Sequence, residues 1–83
     1  MSREIVDFDV IRDRIKIVRK QLELSQEAFG KPVLLRRQDV YAIETGARQP
    51  GLTVLVRLSS HYNISLDWLV WGIGKPFFIK EPV

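Results

Sequence analysis

This chain carries an unusual density of instructions to stop being helical. Between Ser25 and Gly72, helix-ending residues recur at short intervals: Gly30 with Pro32, Gly46, Pro50, Asn63 and Gly72. Proline lacks the amide hydrogen and clashes with the preceding turn. Glycine and asparagine tolerate the left-handed angle with which helices end. Only short helices with tight connections fit between such stops. The apolar residues agree. Ile11, Ile15, Val18 and Leu22 fall at i, i+4, i+7 and i+11, one stripe of a first helix, with Asp9 placed to cap it. Ser25 starts a second helix, with Leu24 and Phe29 as its hydrophobic staple. That helix is expected to end at Gly30 or Lys31, because Pro32 pushes Lys31 away from helical angles. A third helix turns Val40 and Ile43 inward and stops at Gly46. A fourth is expected from Thr53 to Tyr62, with Leu55, Leu58 and Tyr62 inward and Asn63 as its stop. A fifth starts at Ser65, with Ile64 and Leu69 as staple and Asp67 at the positive end of its dipole, and stops at Gly72.

The expected fold class is therefore all-α, a compact five-helix domain with short extended tails. Its parts are a leader over residues 1–9, the helical domain over 10–74 and a tail over 75–83. A length of 83 residues suits one small domain. The runs REIVDF and PFFIKEPV at the two ends are β-branched and aromatic. They are expected either to be extended, pairing with each other or with a second copy, or to dock loosely as tails.

Composition narrows the functions. With 46% apolar residues the chain can form a core rather than stay disordered. The absence of cysteine removes disulfides, thiolate metal sites and thiol nucleophiles, and suits a reducing cytoplasm. No apolar run approaches the ~20 residues needed to span a bilayer, and MSREIVDFD has no signal-peptide core. The expectation is a cytoplasmic, nucleoid-associated protein without a membrane partner. Net charge is only +3, but its distribution is uneven. Residues 10–57 hold ten Lys/Arg against five Asp/Glu, while residues 1–9 are net acidic and residues 58–83 are balanced. A polyanion would dock against that middle.

Enzyme chemistry finds little to stand on. The single histidine, His61, has no evident acid and nucleophile beside it. Gly72-Ile73-Gly74-Lys75 lacks the spacing of a phosphate loop or a dinucleotide fingerprint. No His/Cys group has zinc-ligand spacing, and the carboxylates Asp7 and Asp9 suit solvation or capping. No enzyme activity, cofactor or metal is expected.

Two short helices joined tightly, the second presenting its front half outward, make the layout of a helix-turn-helix. Helical spacing puts Arg37, Gln38, Tyr41, Ala42 and Thr45 on the outer face of the third helix, with Arg36 at its start. Arginine's fork of donors fits guanine O6 and N7, and glutamine fits adenine N6 and N7. Tyr41 suits a sugar-phosphate oxygen or a thymine methyl, or simply packs. Asp39 either supports the helix dipole, the reading preferred here, or accepts from a cytosine amino group.

The stretches LSQEAFG, IETGARQP and ISLDWLVWG, in that order and spacing, resemble the Cro and lambda-repressor-like helix-turn-helix family, also called the xenobiotic-response-element family. The resemblance covers residues 10–74 without an insertion. It implies a five-helix domain that binds duplex DNA sequence-specifically, commonly as a homodimer. By position, it implies phosphate contacts for Gln26, Thr45 and Arg48, and base reading for Arg37, Gln38 and Ala42. It also implies a structural ion pair between Glu44 and Arg19. Three departures stand out. Leu34 replaces the usual glycine of the turn, Arg36 the usual Ser/Thr cap, and Pro32 falls where the family continues its second helix. They predict a remodelled turn, with Arg36 placed for a phosphate contact. SLDWLVWGIGKPFF resembles family versions ending in a Trp-Leu pair and a Gly-x-Gly-x-Pro tail. Its Trp68, Trp71, Phe77 and Phe78 exceed what a small core needs and are candidates for a homodimer surface, the alternative being that they cap the core. The function expected is a transcriptional regulator, a repressor acting as a dimer on a near-palindromic operator. Its rivals are a protein-interaction module that has lost DNA reading, with a protein partner unknown, and the antitoxin of a toxin–antitoxin pair.

Overall fold

The computed structural model describes residues 5–78. Five helices follow one another: α1 (Phe8–Gln21), α2 (Gln26–Gly30), α3 (Arg37–Thr45), α4 (Leu52–Tyr62) and α5 (Leu66–Trp71), with a 3₁₀ turn at Lys31–Val33 between α2 and α3. The expected all-α, five-helix architecture is the one observed. α2 and α3 pack on each other, α1 lies against α3 and α5, and α4 covers the 3₁₀ turn and α5. The centre is filled by Ile11, Ile15 and Val18 of α1, Phe29 of α2, Val40 and Ile43 of α3, Leu58 of α4, and Ile64 and Leu69 at α5. Burying such a side chain stabilises by roughly 1.5–3 kcal/mol, which is how helices too short to persist alone in water are held.

The helix ends explain themselves chemically. Asp7, not Asp9, is the N-cap of α1: its Oδ1 accepts from the amides of Asp9 (3.0 Å) and Val10 (3.4 Å). The earlier start makes Phe8 the first helical residue and lets its ring pack against the core. α1 therefore begins two residues inside the stretch read as leader. Ser25 and Ser65 cap α2 and α5 through their hydroxyls, as expected. α4 begins at Leu52, a residue before the expected start, and buries Val54 along with Leu55 and Leu58, while Tyr62 is only partly covered. Gly46, Asn63 and Gly72 take the left-handed angle at the ends of α3, α4 and α5. Two arginines of α1 lie against two of these ends. Arg12 packs over Gly46, and Arg14 packs over Gly72 while donating to the Leu69 carbonyl at 3.2 Å. Cations at helix C-termini offset the negative end of the dipole.

The end of α1 had no signal in the sequence. Glu23 turns left-handed there (φ 57°), and the amides of Glu23 and Leu24 close on the carbonyls of Lys20 and Arg19. The tail also differs from expectation. Pro76 and Phe78 bond to Ser65 and Asn63 of the same chain, through Ser65 N–H to Pro76 O (2.8 Å) and Phe78 N–H to Asn63 O (3.0 Å). Phe77 thereby forms a lone antiparallel bridge with Ile64. Among the described residues the tail pairs with the α4–α5 connection, not with the N-terminal run. The rest of both runs, residues 3–4 and 79–83, lies outside the described residues.

The remodelled turn has a definite form. α2 ends at Gly30, within the expected range, but Pro32 does not push Lys31 out of the helical region: Lys31 keeps φ −54°, ψ −51°, and Lys31–Val33 continue as a single 3₁₀ turn whose first turn accommodates the proline. Leu34 then takes φ 63°, ψ 35°, the conformation glycine adopts most cheaply, and Leu35 N–H closes on Gly30 O at 2.9 Å. A leucine there costs about 1–2 kcal/mol in backbone strain, and its side chain, 75% exposed, recovers little by burial. Leu34→Gly is expected to raise stability by about 1 kcal/mol, or ~4–8 °C in Tm. Leu34→Val, β-branched at the same angle, is expected to lower it. Thermal unfolding of the two variants checks both signs.

Candidate nucleic-acid interface

α3 is nine residues long and buries Val40, Ile43 and Glu44, which leaves the opposite side to solvent. On that side Arg37, Gln38, Tyr41 and Thr45 are exposed and Ala42 is half-buried. Arg36, the N-cap, lies beside Arg37 and Gln38 on an open groove of about 590 Å³ that Glu27, Lys31, Leu34 and Leu35 complete. The chain thus brings the residues singled out for base contact together on one surface. Thr45 is in the same row, but its hydroxyl donates back to the carbonyls of Tyr41 (2.9 Å) and Ala42 (3.3 Å).

Behind this surface lies a buried polar junction. Arg19 of α1 grips Glu44 of α3 with two bonds, Nε to Oε2 at 2.7 Å and Nη2 to Oε1 at 3.0 Å, and donates a third from Nη1 to the Leu24 carbonyl at 2.9 Å. The Glu44 side chain is 2% exposed and that of Arg19 12%. The bond to Glu44 is the main reason the guanidinium holds its proton more tightly than usual, against the opposing effect of burial. Gln26, at the start of α2, joins the junction by donating from Nε2 to Glu44 Oε1 at 3.2 Å. One carboxylate therefore sets the spacing of α1, α2 and α3 together. Gly30 sets the approach of α2 to α3 from the other side. A methyl group there would press on the Leu35 carbonyl and a Val40 methyl, so no side chain fits without moving the backbone.

Of the two roles open to Asp39, supporting the helix and reading a base, the structure shows the first, with both carboxylate oxygens occupied. Oδ2 accepts from the Arg36 amide (2.9 Å) and Arg36 Nε (3.3 Å), and Oδ1 accepts from Arg48 Nη1 (3.2 Å). The bond from the Arg36 amide is the first cause, and the bond from its guanidinium the second, of a carboxyl pKa below the ordinary aspartate value. Arg36 stands where a Ser/Thr cap is usual, and the cap bond comes from its partner: Asp39 accepts from the Arg36 amide. Sequence reasoning did not foresee this link between Arg36 and Arg48. The available signal was the acid three residues after the cap, the spacing of a capping box. Glu27 and Lys31 also line the groove, because the 3₁₀ turn after α2 brings the start of α3 beside them.

The four aromatic candidates divide. Trp68 and Phe77 pack against the core, whereas Trp71 and Phe78 are about 40% exposed. The Arg14 guanidinium carbon lies 6.0 Å from the Trp68 ring centre. Among the described residues, no helix is long and apolar enough to cross a membrane, and no cluster of His, Cys, Asp or Glu could hold a metal ion.

Known proteins share this sequence pattern. The helix-turn-helix family pattern matches residues 15–69, from within α1 to within α5. Two proteins of Bacillus subtilis (strain 168) are similar in sequence. The uncharacterized HTH-type transcriptional regulator YqaE is 32% identical over 60 residues, which are 72% of this chain and 52% of that protein. The uncharacterized HTH-type transcriptional regulator YgzD is 28% identical over 61 residues, 74% of this chain and 92% of that protein. The match thus spans about half the length of the first and nearly all of the second. No solved structure matches. With a five-helix fold, the α2–turn–α3 unit at its centre and two thirds of its length matched, the chain belongs to the Cro and lambda-repressor-like helix-turn-helix family of transcriptional regulators.

Proposed function

We propose that the protein is a sequence-specific duplex-DNA-binding regulator, a repressor that acts as a homodimer on a near-palindromic operator in the cytoplasm. The observation that carries this reading is the row Arg37, Gln38, Tyr41 and Ala42 on the solvent side of α3, with Arg36 at its front and Arg48 behind it. Arg37 and Gln38 are the base readers, Ala42 meets a thymine methyl at most, and Tyr41 meets a thymine methyl or a sugar-phosphate oxygen. Gln26, Arg36, Thr45 and Arg48 are the phosphate contacts, Thr45 after turning its one O–H away from the Tyr41 and Ala42 carbonyls. Gln26 spends one N–H on Glu44 and, as an amide has two, keeps one for phosphate. Family membership and the related HTH-type transcriptional regulators support the same reading. Trp71 and Phe78, exposed at the α5 end, are the residues proposed to meet the second copy, which would set the reading helices about 34 Å apart.

Selection from a random duplex library at two salt concentrations tests the proposal. One enriched, near-palindromic sequence is expected, with affinity falling steeply as salt rises. Arg37→Ala is expected to lose about 1–3 kcal/mol of discrimination at one base pair, and Gln26→Ala to weaken all duplexes alike. Equal losses across operator variants for Arg37→Ala would remove its reading role. No enrichment at low salt would favour an interaction module that keeps the fold without reading DNA. Enrichment together with a toxin reading frame beside the gene would favour the antitoxin.

A further inference from the structure

Asp39 divides its carboxylate between two arginines that flank α3 in the chain. Arg36 precedes the helix and Arg48 follows it. The Arg48 amide donates to the Ala42 carbonyl at 3.1 Å, which folds the loop back along the helix so that its guanidinium reaches Asp39 in the first turn. The carboxylate is recessed, its side chain 18% exposed, beneath arginine side chains 74% and 50% exposed. Exposed ion pairs are weak, so a phosphate can compete for either arginine.

We infer that Asp39 is a positioning residue that also restrains charge: it aims Arg36 and Arg48 and withholds one positive charge from the reading end of the domain. The inference rests on the DNA-binding reading above. On DNA two arrangements are open. The arginines keep Asp39 and meet phosphate with their remaining donors, or they turn to phosphate and leave a carboxylate beside it. Either way the surface acts with one cation fewer than it would with a neutral residue at position 39. Cation–phosphate attraction supplies nearly all sequence-independent binding, so Asp39 holds that binding down. Arg37, whose guanidinium has no side-chain partner among the described residues, stays free for bases.

Asp39→Asn tests this, because it removes the charge and keeps an oxygen for the Arg36 amide. On random duplex at low salt the variant is expected to bind about three- to tenfold tighter, with a salt slope steeper by about 0.9 for one added phosphate contact. Arg48→Gln is then expected to lower the slope by about 0.9 in the Asn background and by less in the wild type. Asp39→Ser, neutral with a short acceptor, carries the same expectations should the Asn variant fold poorly. An unchanged slope with lost preference at a single cytosine would overturn the inference and make Asp39 a base reader. Equal effects of Arg48→Gln in both backgrounds would also overturn it. A DNA-free readout separates this inference from the reading beneath it. In the free protein, the Arg36 Nε–H signal is expected to exchange with water more slowly in the wild type than in Asp39→Asn. Equal exchange would overturn the clamp even if DNA binds. Slower exchange with no duplex binding by either protein would instead overturn the DNA-binding reading, and with it the restraint on charge.

Discussion

Arg19→Met is expected to cost about 3–5 kcal/mol of stability, the usual penalty for breaking a buried ion pair from one side. The Glu44 carboxylate would stay buried with a single amide donor from Gln26, and the Leu24 carbonyl would lose the Arg19 donor that helps hold the α1–α2 connection. For a domain of this size such a loss is a large part of the total stability, and each kcal/mol lowers Tm by about 4–8 °C. Glu44→Gln is expected to cost less, because it removes the more deeply buried charge and leaves the more exposed one. The double variant Arg19→Met, Glu44→Leu is expected to recover much of the loss, since a buried pair replaced by apolar groups is often near neutral. Urea unfolding of the three variants decides it. A double variant as unstable as Arg19→Met would mean that the donation to Leu24, not the pair with Glu44, carries the energy. The pair matters for function because it sets α3 relative to α1 and α2. Variants that remain folded are expected to lose DNA affinity on all sequences together.

Phe29→Ala is expected to be of similar size, about 3–5 kcal/mol. α2 is only five residues long and cannot persist by its own hydrogen bonds. Phe29 is its one fully buried large side chain, stacked on Tyr62 of α4 with ring centres 4.9 Å apart. The Tyr62 hydroxyl donates to the Phe29 carbonyl at 2.6 Å, and burial raises its pKa. Removing the ring detaches α2 from α4 while leaving that hydroxyl bond formally possible. Tyr62→Phe, which removes the bond and keeps the stacking, is expected to cost only about 1 kcal/mol. Hydrogen exchange would show the difference: α2 amides are expected to lose protection ahead of α1 in Phe29→Ala. Loss of protection in all helices at once would show that α2 is no separate unit of stability.

Much of this protein is determined by local chemistry that its sequence displays. Serines at positions 25 and 65, glycines at 46 and 72 and Asn63 act on the backbone within a turn of themselves, so the ends of α3, α4 and α5 follow from them alone, whereas past α2 the helical path runs on through Lys31 and Pro32 until Leu34. The apolar stripes identify the core faces for the same reason, and the outward face of α3 is whatever Val40, Ile43 and Glu44 leave exposed. Tertiary structure decided the rest. Nothing local tells Glu23 or Leu34 to turn left-handed; packing of α1, α2 and α3 into one core imposes, at the α1–α2 and α2–α3 connections, angles that glycine would take more cheaply. Nothing near Pro76 in sequence points to Ser65, because backbone pairing across a dozen residues depends on where α5 carries the chain. The α1 boundary lies at Asp7 rather than Asp9 because Phe8 gains a core contact by joining the helix. At the interface, capping-box spacing already pairs Asp39 with the Arg36 amide, while the fold decides that Arg48 reaches Asp39 and that Glu44 joins three helices. Those are meetings of side chains from distant positions, and only the assembled core brings them within hydrogen-bonding distance.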